Sequence, residues 1–448
     1  MTILSLNSGS SSLKFQLFDY DESITICSGL VERVGIAGSF IKFSNYGGES
    51  VKIEHPCPDH REAMKLLLST ITGSEHGVID SLDRIAAVGH RIVHGGEKFT
   101  KSVLITDEVV DVVKSLYDLA PLHNPPNILG VEAAREVMPG VPHVGVLDTA
   151  WHQTMPEHAY LYALPRNWYT KYGVRRYGFH GTSLLYCAKR AAALLGKDPL
   201  KTSIVTLHIG NGASANAVRN GVSFDTSMGL TPLEGLVMGT RAGDHDAAID
   251  LMIMEREGLT PAQMNSLLNK RSGVFGITDE KYVDRRDEED AAEAGDKLAQ
   301  LALDIEVHRL KKYVGGYIAA LGGVDAIVFT AGVGEMSPYI REHVCRGLEC
   351  MGIEMDFVKN APCKTRSAEC DLATPESKVR IFVIPTDEER VIIEDTVAIM
   401  NGTYDDHTRF VYPFQLPGYV NKEREAALAR DMEKKSWLKD CVVRPPKA

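Results

Sequence analysis

Two short apolar segments on either side of a Gly-Asn-Gly sequence are the first feature that indicates chemistry. Residues 204–209 and 213–218 are typical of strands, and Gly210, Asn211 and Gly212 lie between them. Asn-Gly predicts a two-residue hairpin turn with positive φ, and small residues leave its backbone N–H groups uncovered. Uncovered N–H groups bind phosphate oxygens. The alternative is an ordinary surface hairpin, since short glycine motifs also occur by chance.

A similar pattern near the N-terminus favours the anion-binding interpretation. Residues 3–6 and 13–18 are typical of strands, and the small polar residues 7–12 lie between them. Two such hairpins in one chain predict two related half-molecules, each with a phosphate loop. A nucleotide would then lie in the cleft between the halves, as in a phosphotransferase.

Five other side chains lie where strands end or on rigid loops. Arg91 and Asp148 each follow a strand, at the edge where α/β sheets bind ligands. His123 lies on a proline-rich loop, and His180 lies between two glycines. Arg241 lies in a glycine-rich loop, where we expect it to bind an anion. The alternatives are a surface salt bridge for Arg91 and a helix cap for Asp148.

Two further histidines, His90 and His94, flank Arg91 in the same segment. A metal site would need at least a third ligand, and none is evident nearby in the sequence. We therefore expect a satisfied histidine pair.

The elements that position these residues follow from periodicity and capping signals. Thr106 is expected to cap a helix that ends near Pro121. The glycine turn at 330–335 lies between a buried strand and a helix from Ser337, an arrangement that holds nucleotides. The other predicted elements are strands at 84–88, 141–147, 324–329 and 379–384, a long helix from the charged patch 284–290 to about residue 320, and a helix ending near residue 400.

Length and composition exclude several classes of protein. A chain of 448 residues is too long for one core, so two domains are expected. The formal net charge is −11 and no Lys/Arg block occurs, which argues against nucleic acid as a partner. No apolar run could span a bilayer and no signal peptide is evident, so we expect a cytoplasmic protein without membrane contact. The eight cysteines are scattered, with no C-x-x-C pair and no spacing that suggests a zinc site. We therefore expect reduced structural thiols.

Nine segments in matching order resemble the acetate kinase family: 6–14, 89–96, 121–126, 148–156, 178–183, 208–214, 238–244, 329–335 and 385–389. That family belongs to the superfamily of acetate and sugar kinases, heat-shock proteins and actin. The resemblance implies an α/β fold of two ribonuclease-H-like domains with a nucleotide cleft between them. It implies domain I at 1–150, to which 386–448 return, and a nucleotide-binding domain II at 151–385.

The resemblance also assigns roles to single residues. It implies that Mg²⁺, with Mn²⁺ as a substitute, is held by Asn7 and Glu388, or by Glu389 in place of Glu388. Around the transferring phosphoryl group it places Arg91, His123, Asp148, His180 and Arg241. The short-chain substrate pocket falls on Arg91, Val93, Leu122, Phe179 and Pro232. The nucleotide is implied to contact Ser10, Ser12, Lys14, His208, Ile209, Gly210, Asn211, Gly212, Asp284, Arg285, Arg286, Gly332, Val333, Gly334, Glu335 and Met336.

The activity implied is the reversible in-line transfer of the ATP γ-phosphate to acetate, giving acetyl phosphate and ADP, by a homodimer. A propionate or other short-chain carboxylate kinase differs only in pocket size. An actin- or chaperone-like ATPase shares the fold, but the arginine pair beside an apolar pocket argues against it. A scaffold protein leaves the glycine loops unexplained.

Two features depart from the family pattern. Arg285 stands where relatives commonly have a hydrophobic residue, which leaves the contact with the base open. Residues 402–448 extend past the usual family end, and we expect them to form a surface-packed extension.

Overall fold

The computed structural model describes residues 1–46, 48 and 50–446. Its strands are β1 (Thr2–Ser8), β2 (Ser12–Asp19), β3 (Ile24–Glu32), β4 (Phe40–Asn45), β5 (Ser50–Glu54), β6 (Ile85–Ile92), β7 (Val103–Leu104), β8 (His143–Leu147), β9 (Ser203–Ile209), β10 (Ala213–Arg219), β11 (Val222–Thr226), β12 (Ala326–Thr330), β13 (Cys370–Asp371) and β14 (Arg380–Val383).

Seventeen α-helices lie between and after these strands in the described part of the chain. They are α1 (His60–Thr72), α2 (Asp107–Ser115), α3 (Asn124–Val137), α4 (Glu157–Tyr160), α5 (Arg166–Tyr172), α6 (Gly181–Leu194), α7 (Ala247–Glu257), α8 (Pro261–Lys270), α9 (Gly273–Ile277), α10 (Arg285–Glu293), α11 (Lys297–Leu321), α12 (Ala331–Met336), α13 (Pro338–Cys345), α14 (Phe357–Asn360), α15 (Glu388–Met400), α16 (Lys422–Lys434) and α17 (Leu438–Cys441). No helix in the described ranges is long and apolar enough to cross a bilayer.

The chain divides into two compact units. Unit 1 comprises Met1–Gln153, Asp387–Pro413 and Val420–Glu423, and unit 2 comprises Thr154–Thr386, Phe414–Tyr419 and the chain from Arg424 onwards. The first division lies close to the boundary expected after residue 150. The tail differs from the expectation, because its greater part groups with unit 2 instead of returning wholly to domain I.

Both units contain the same five-strand arrangement. The sheet order is β5-β4-β3-β2-β1-β6-β8-β7 in unit 1 and β11-β10-β9-β12-β14-β13 in unit 2. In unit 1, β1 pairs antiparallel with β2 and parallel with β6, and in unit 2 β9 pairs antiparallel with β10 and parallel with β12. This order of three antiparallel and two further parallel strands is the ribonuclease-H-like arrangement. The two related halves predicted from the hairpins are therefore confirmed.

Helices cover the sheet of unit 1 on two sides. One core cluster joins Leu6 and Phe15 of the sheet to Met64 of α1 and Ala134 of α3, and another joins Ile3 to Ile393 of α15. A Cβ at Gly89 would lie 2.5 Å from both Ile392 and Thr396 of α15, so only glycine allows this close packing. In unit 2, α6 and α11 pack against the sheet.

Two local predictions were wrong. The charged patch does not continue as one helix to residue 320, because the chain breaks at Gly295 with φ +95° and restarts at α11, capped by Asp296. The predicted helix from Ser337 is confirmed as α13, which Ser337 caps. The predicted glycine turn at 330–335 is instead largely a short helix, α12. No elements were predicted between the first hairpin and residue 80, where the structure contains β3, β4, β5 and α1.

The C-terminal tail is packed more deeply than a surface extension. Within unit 1, the Tyr412 hydroxyl is buried and donates to Asp395 Oδ1 at 2.7 Å, while Ser102 Oγ donates to Asp395 Oδ2 at 2.6 Å. Within unit 2, Phe414 is fully buried and its ring centre lies 4.8 Å from that of Tyr186. Aromatic residues in the tail thus complete the cores of both units.

Candidate active site

The first hairpin loop is braced by its neighbours in unit 1. Gly9 N donates to Ser12 O at 2.8 Å, and the His60 ring contacts Gly9 O at 2.7 Å. A Cβ at Gly130 of α3 would lie 1.9 Å from Ser8 Oγ, so α3 approaches the loop closely at this glycine. The loop therefore has a fixed shape with small side chains, as a phosphate loop requires.

Arg91 and Asp148 form a tight ion pair at the ends of β6 and β8. Arg91 Nε donates to Asp148 Oδ1 at 3.0 Å, and Nη2 donates to Oδ2 at 2.6 Å. Asp148 is 1% exposed and Arg91 is 18% exposed. Burial alone would lower the pKa of Arg91, but Asp148 and Glu388 raise it above its ordinary value. Asp148 therefore fixes the orientation of a fully charged guanidinium, and neither alternative, a surface salt bridge or a helix cap, describes the pair.

A small pocket in unit 1 brings together Asn7, Lys14, Arg91, Glu388 and Glu389. Lys14 forms an ion pair with Glu389, and this pair raises the pKa of the Lys14 ammonium despite its burial. Burial raises the pKa of Glu388 above its ordinary value. The positive charge of Arg91 lowers this pKa, whereas the negative charges of Asp148 and Glu389 raise it further. In the described part of the chain no hydrogen bond is made by the side chains of Asn7 and Glu388. These two oxygen-bearing groups are thus available to a cation.

The histidines flanking Arg91 are engaged within the protein, but with different partners from those expected. His90 Nε2 lies 2.8 Å from His143 Nδ1, and His94 Nδ1 accepts from Gly96 N at 3.0 Å. Burial, assisted by His143, lowers the pKa of His90 well below its ordinary value. The buried histidine pair therefore consists of His90 and His143, and both rings are neutral. His94 is not part of this pair.

Two buried asparagines of α3 were missed in the sequence. Asn127 Oδ1 accepts from Val93 N at 2.9 Å, and its Nδ2 donates to Ser8 O at 2.7 Å. Asn124 Oδ1 accepts from His94 N at 3.0 Å, and Asn124 Nδ2 donates to His94 O at 2.9 Å. These asparagines fix the segment after Arg91 against the first hairpin loop. Their position on either side of two prolines, in the first turn of a helix, was the available signal.

The remaining predicted residues of unit 1 lie at the start of α3. His123 is the N-cap residue of α3, and Leu122 before it is 56% exposed. Val93 is 7% exposed. The structure therefore places Val93 in a packed segment and Leu122 on an open one.

In unit 2, the second hairpin loop has three residues instead of two. Ile209 pairs with Ala213, and Gly210 N donates to Gly212 O at 3.0 Å. None of residues 210–212 is among the positive-φ positions. The prediction of a two-residue turn with positive φ was wrong, because the strand register leaves one more residue in the loop.

Arg241 and His180 meet at this loop. A Cβ built on Gly212 would lie 3.4 Å from Arg241 Nη1 and 3.5 Å from His180 Nε2. His180 has φ +59°, its Nδ1 contacts Ser214 Oγ at 2.9 Å, and its ring stacks on His208 with centres 4.1 Å apart. His208 Nδ1 in turn contacts Ser183 Oγ at 2.8 Å. A non-glycine residue held in the left-handed region marks a position that its surroundings over-determine.

Arg241 differs from Arg91 in having no acidic partner. Its Nη1 donates to Pro232 O at 3.3 Å, and across the described residues no carboxylate pairs with it. Burial accordingly lowers the pKa of Arg241. A guanidinium that is partly desolvated without a counter-charge, beside an N–H-rich loop, is suited to bind an anion.

The residues predicted on the adenosine side fall into two groups in unit 2. Asp284 caps α10 and pairs with the exposed Arg286, at 2.7 Å between Asp284 Oδ2 and Arg286 Nη2. Arg285 is buried and its side chain binds Glu288 and Glu306, so that side chain is engaged within the protein, and its contact with the nucleotide stays a prediction. The second group, in α12, comprises Gly332, Val333, Gly334, Glu335 and Met336. Glu335 there accepts from Thr386 N at 3.2 Å.

The fold and these groups define a class of protein: a phosphotransferase with two ribonuclease-H-like units that uses ATP. The family model described as the acetokinase family matches residues 2–394. The chain therefore belongs to the acetokinase family, and it is a kinase with a carboxyl group as acceptor.

Individual relatives support this assignment. The acetate kinase of Treponema pallidum (strain Nichols) is 55% identical over 444 residues, covering 99% of this chain and 99% of the relative. A crystal structure of Porphyromonas gingivalis acetate kinase is 49% identical with a TM-score of 0.85, covering 89% of this chain and 99% of that one. A propionate kinase from Francisella tularensis subsp. tularensis SCHU S4 is 38% identical with a TM-score of 0.82, covering 88% of this chain and 99% of that one. The tail lies outside the family model, but the similarity to the Treponema pallidum protein extends into it.

Proposed function

We propose that this chain catalyses the Mg²⁺-dependent, reversible transfer of the γ-phosphoryl group of ATP to acetate, giving acetyl phosphate and ADP. The observation that carries the proposal is the partly buried Arg241 guanidinium, which pairs with no carboxylate of the described residues and lies beside the second hairpin loop and His180. Such a group stabilises negative charge on the transferring phosphoryl oxygens. The acetate kinases among the similar proteins support acetate as the acceptor.

The reaction needs alignment and charge neutralisation more than proton transfer. A carboxylic acid with a pKa of about 4 is already ionised at neutral pH, so its oxygen attacks phosphorus without a general base. Arg91, oriented by Asp148, binds the acyl carboxylate, and Arg241, His123 and His180 act on the phosphoryl group. The planar guanidinium fork suits both carboxylate and phosphate oxygens.

The nucleotide is proposed to bind through both hairpin loops and the adenosine-side segments. Ser10, Ser12 and Lys14 of unit 1 contact phosphates. In unit 2 the proposed contacts are His208, Ile209, Gly210, Asn211, Gly212, Asp284, Arg286, Gly332, Val333, Gly334, Glu335 and Met336. The compartment proposed is the cytoplasm, and the lack of disulfides among the eight cysteines supports it.

Acyl-phosphate formation tests this function directly. We would supply acetate, propionate or butyrate with ATP, or with pyrophosphate, and trap the product with hydroxylamine. Acetyl hydroxamate formed from acetate and ATP is the expected result. Hydrolysis of ATP without any acyl hydroxamate would contradict the proposal and favour an actin-like ATPase.

The pocket of unit 1 fits a magnesium ion. Mg²⁺ typically binds one or two protein oxygen ligands together with substrate phosphates, and it supplies charge neutralisation there. Asn7 and Glu388 line the pocket without hydrogen-bond partners, whereas Glu389 is occupied by Lys14. Glu388 is therefore preferred over Glu389 as the ligand, and Mn²⁺ is the expected substitute metal.

Replacing either proposed ligand should change the metal requirement. Asn7→Ala or Glu388→Ala is expected to raise the Mg²⁺ concentration for half-maximal activity by about tenfold or more. The KM for acetate, measured at saturating Mg²⁺, should stay nearly unchanged. Glu22→Ala, which removes an exposed carboxylate of unit 1, is the control. An unchanged Mg²⁺ titration in both variants would remove these residues from the metal site.

Val93 is proposed to limit the acyl pocket, together with Leu122, Phe179 and Pro232. It lies two residues after Arg91, in the bend directly after β6, and is 7% exposed. Asn127 fixes this segment through Val93 N. The valine methyl groups then meet the acyl end while Arg91 holds the carboxylate, which leaves space for one methyl group.

Val93→Ala should therefore shift the enzyme toward propionate. One methylene in an apolar pocket is worth about 1–3 kcal/mol, so the ratio of kcat/KM for propionate to that for acetate should rise by roughly tenfold. Val146→Ala, at a buried valine of β8, controls for loss of packing alone. A flat ratio in a stably folded Val93→Ala variant would place the pocket elsewhere and reopen propionate kinase as the alternative.

A homodimer is the proposed assembly. No residue of α7 is buried, and Ile249, Leu251 and Met252 on it are 45%, 71% and 41% exposed. Adjacent exposed apolar side chains of this kind mark an interaction surface. Light scattering should give the mass of two chains, and Leu251→Glu should give a folded monomer. A parent protein that is monomeric at assay concentration would contradict the dimer.

A further inference from the structure

A buried cluster of three charged side chains connects α10 to α11 in unit 2. Arg285 Nη1 donates to Glu288 Oε2 at 2.9 Å, and Arg285 Nη2 donates to Glu306 Oε1 at 2.7 Å. The side chains of Arg285, Glu288 and Glu306 are 5%, 0% and 2% exposed. Burying charges is costly, and such a cluster contributes little stability compared with apolar packing. We call these three residues the α10–α11 triad.

The triad is under-satisfied as well as buried. Arg285 Nε, Glu288 Oε1 and Glu306 Oε2 each have no hydrogen-bond partner within the described residues. Two carboxylates face one guanidinium, so the fully ionised triad carries one excess negative charge. A cluster arranged in this way constrains position more than it stabilises the fold.

The position constrained is that of the adenosine-side segment. Arg285 is the first residue of α10, and it lies between Asp284, which caps the helix, and Arg286. Asp284 accepts from Arg286 N at 2.9 Å and from the Arg286 side chain. Because neighbouring backbone atoms move together, anchoring Arg285 to α11 also fixes Asp284 and Arg286.

The same helix holds the loop that carries Arg241. One turn after Glu306, Arg309 donates to Gly235 O and to Asp244 O, each at 2.8 Å. Tyr313 OH donates to Asp244 Oδ2 at 2.7 Å. Helix α11 is therefore a common support for the adenosine-side segment and for both ends of the Arg241 loop.

We propose that the α10–α11 triad is a positioning device for nucleotide recognition, in which Arg285 anchors Asp284 and Arg286 to the helix that also supports the Arg241 loop. The inference rests on the proposed function, because it takes Asp284 and Arg286 as nucleotide contacts. It assigns to Arg285 an indirect role in place of a contact with the base.

The triad also responds to pH. Burial raises the pKa of Glu306 to about 7, Arg285 opposes this effect, and Glu288 and Glu289 of α10 add to it. Glu289 itself faces Ser337, Lys364 and Arg341 as well as Arg285. The folded state therefore favours the protonated Glu306, and the fit of α10 on α11 weakens as the pH rises through 7. The KM for ATP should rise over the same range.

The test separates nucleotide recognition from chemistry. Glu306→Gln keeps the shape of the side chain and removes its charge, and Arg285→Met removes the anchor. Arg285→Met should raise the KM for ATP, and the Kd for ADP measured by calorimetry, by about tenfold, with kcat within about twofold of the parent. Glu306→Gln, which resembles the protonated Glu306, should keep the KM for ATP at the parent's low-pH value throughout the range from pH 6 to pH 8. Arg285→Lys should restore part of the affinity.

Glu293→Gln, the same chemical change at an exposed position of α10, is the control and should leave all constants unchanged. The inference is overturned if the Kd for ADP of folded Arg285→Met matches that of the parent, if kcat falls as much as affinity, or if the KM for ATP of Glu306→Gln still rises between pH 6 and pH 8. A parent protein that makes no acetyl phosphate overturns the proposed function instead. The ADP titration of the parent and variants still decides the role of the triad in that case.

Discussion

Arg241→Ala should lower kcat for acetyl-phosphate formation by about a hundredfold or more. Removal of one strong donor to a transition-state oxyanion typically has an effect of this size. The prediction depends on the absence of any carboxylate partner for Arg241 in the described chain, since a guanidinium without a counter-charge gains most when charge develops nearby. The measurement is the hydroxamate assay at saturating ATP and acetate.

Arg241→Lys provides a matched comparison. It keeps one positive charge but loses the planar fork that can grip two oxygens, so an intermediate loss of kcat is expected. A variant Arg241→Ala whose kcat stays within a few-fold of the parent while its KM rises would contradict the transition-state role. Arg241 would then be a ground-state binding residue.

Asp148→Asn should lower kcat/KM for acetate by about a hundredfold without changing the shape of its pH profile. The buried Arg91 would keep a similar neighbour but lose its counter-charge and its two-point contact, so the guanidinium would no longer be held for the substrate carboxylate. Losing one partner of a buried ion pair typically costs about 3–5 kcal/mol, which is enough for an effect of this size.

The pH profile decides between orientation and proton transfer. A residue that orients Arg91 lowers activity by the same factor at every pH from 6 to 8. A residue that accepts a proton in the reaction would instead remove the acidic limb of the profile when replaced by asparagine. Loss of that limb in Asp148→Asn would therefore assign Asp148 as a general base and contradict the orienting role.

Local sequence patterns suffice to predict features whose residues lie close together in the chain. The two hairpins were predictable because strand alternation and small turn residues lie within fifteen residues of each other. Arg91 and Asp148 were predictable as site candidates because strand ends are visible in the sequence. Their mutual ion pair was not, because it joins residues from two parallel strands that are separated by α2 and α3 in the chain.

Positions that depend on packing between distant elements were mispredicted. The break at Gly295 is an exception, because its signal is local: glycine ends one helix and Asp296 caps the next. Arg285 lies in a charged patch that is typical of a solvated helix start. Its side chain is nevertheless buried, where it donates a hydrogen bond to Glu306 on the next helix. The buried partner of His90 was likewise His143, on the neighbouring strand.

The sequence by itself determined the family, the two related halves and the identity of most residues proposed to act, because glycine loops, strand ends and the order of nine segments are local features of the chain. Only the tertiary structure decided which charges are paired. Among the described residues it left Arg241 without a counter-charge, oriented Arg91 with Asp148 and buried Arg285 between two glutamates. Charge pairing depends on distances of about 3 Å between residues far apart in sequence, and those distances exist only once the sheets and helices have packed.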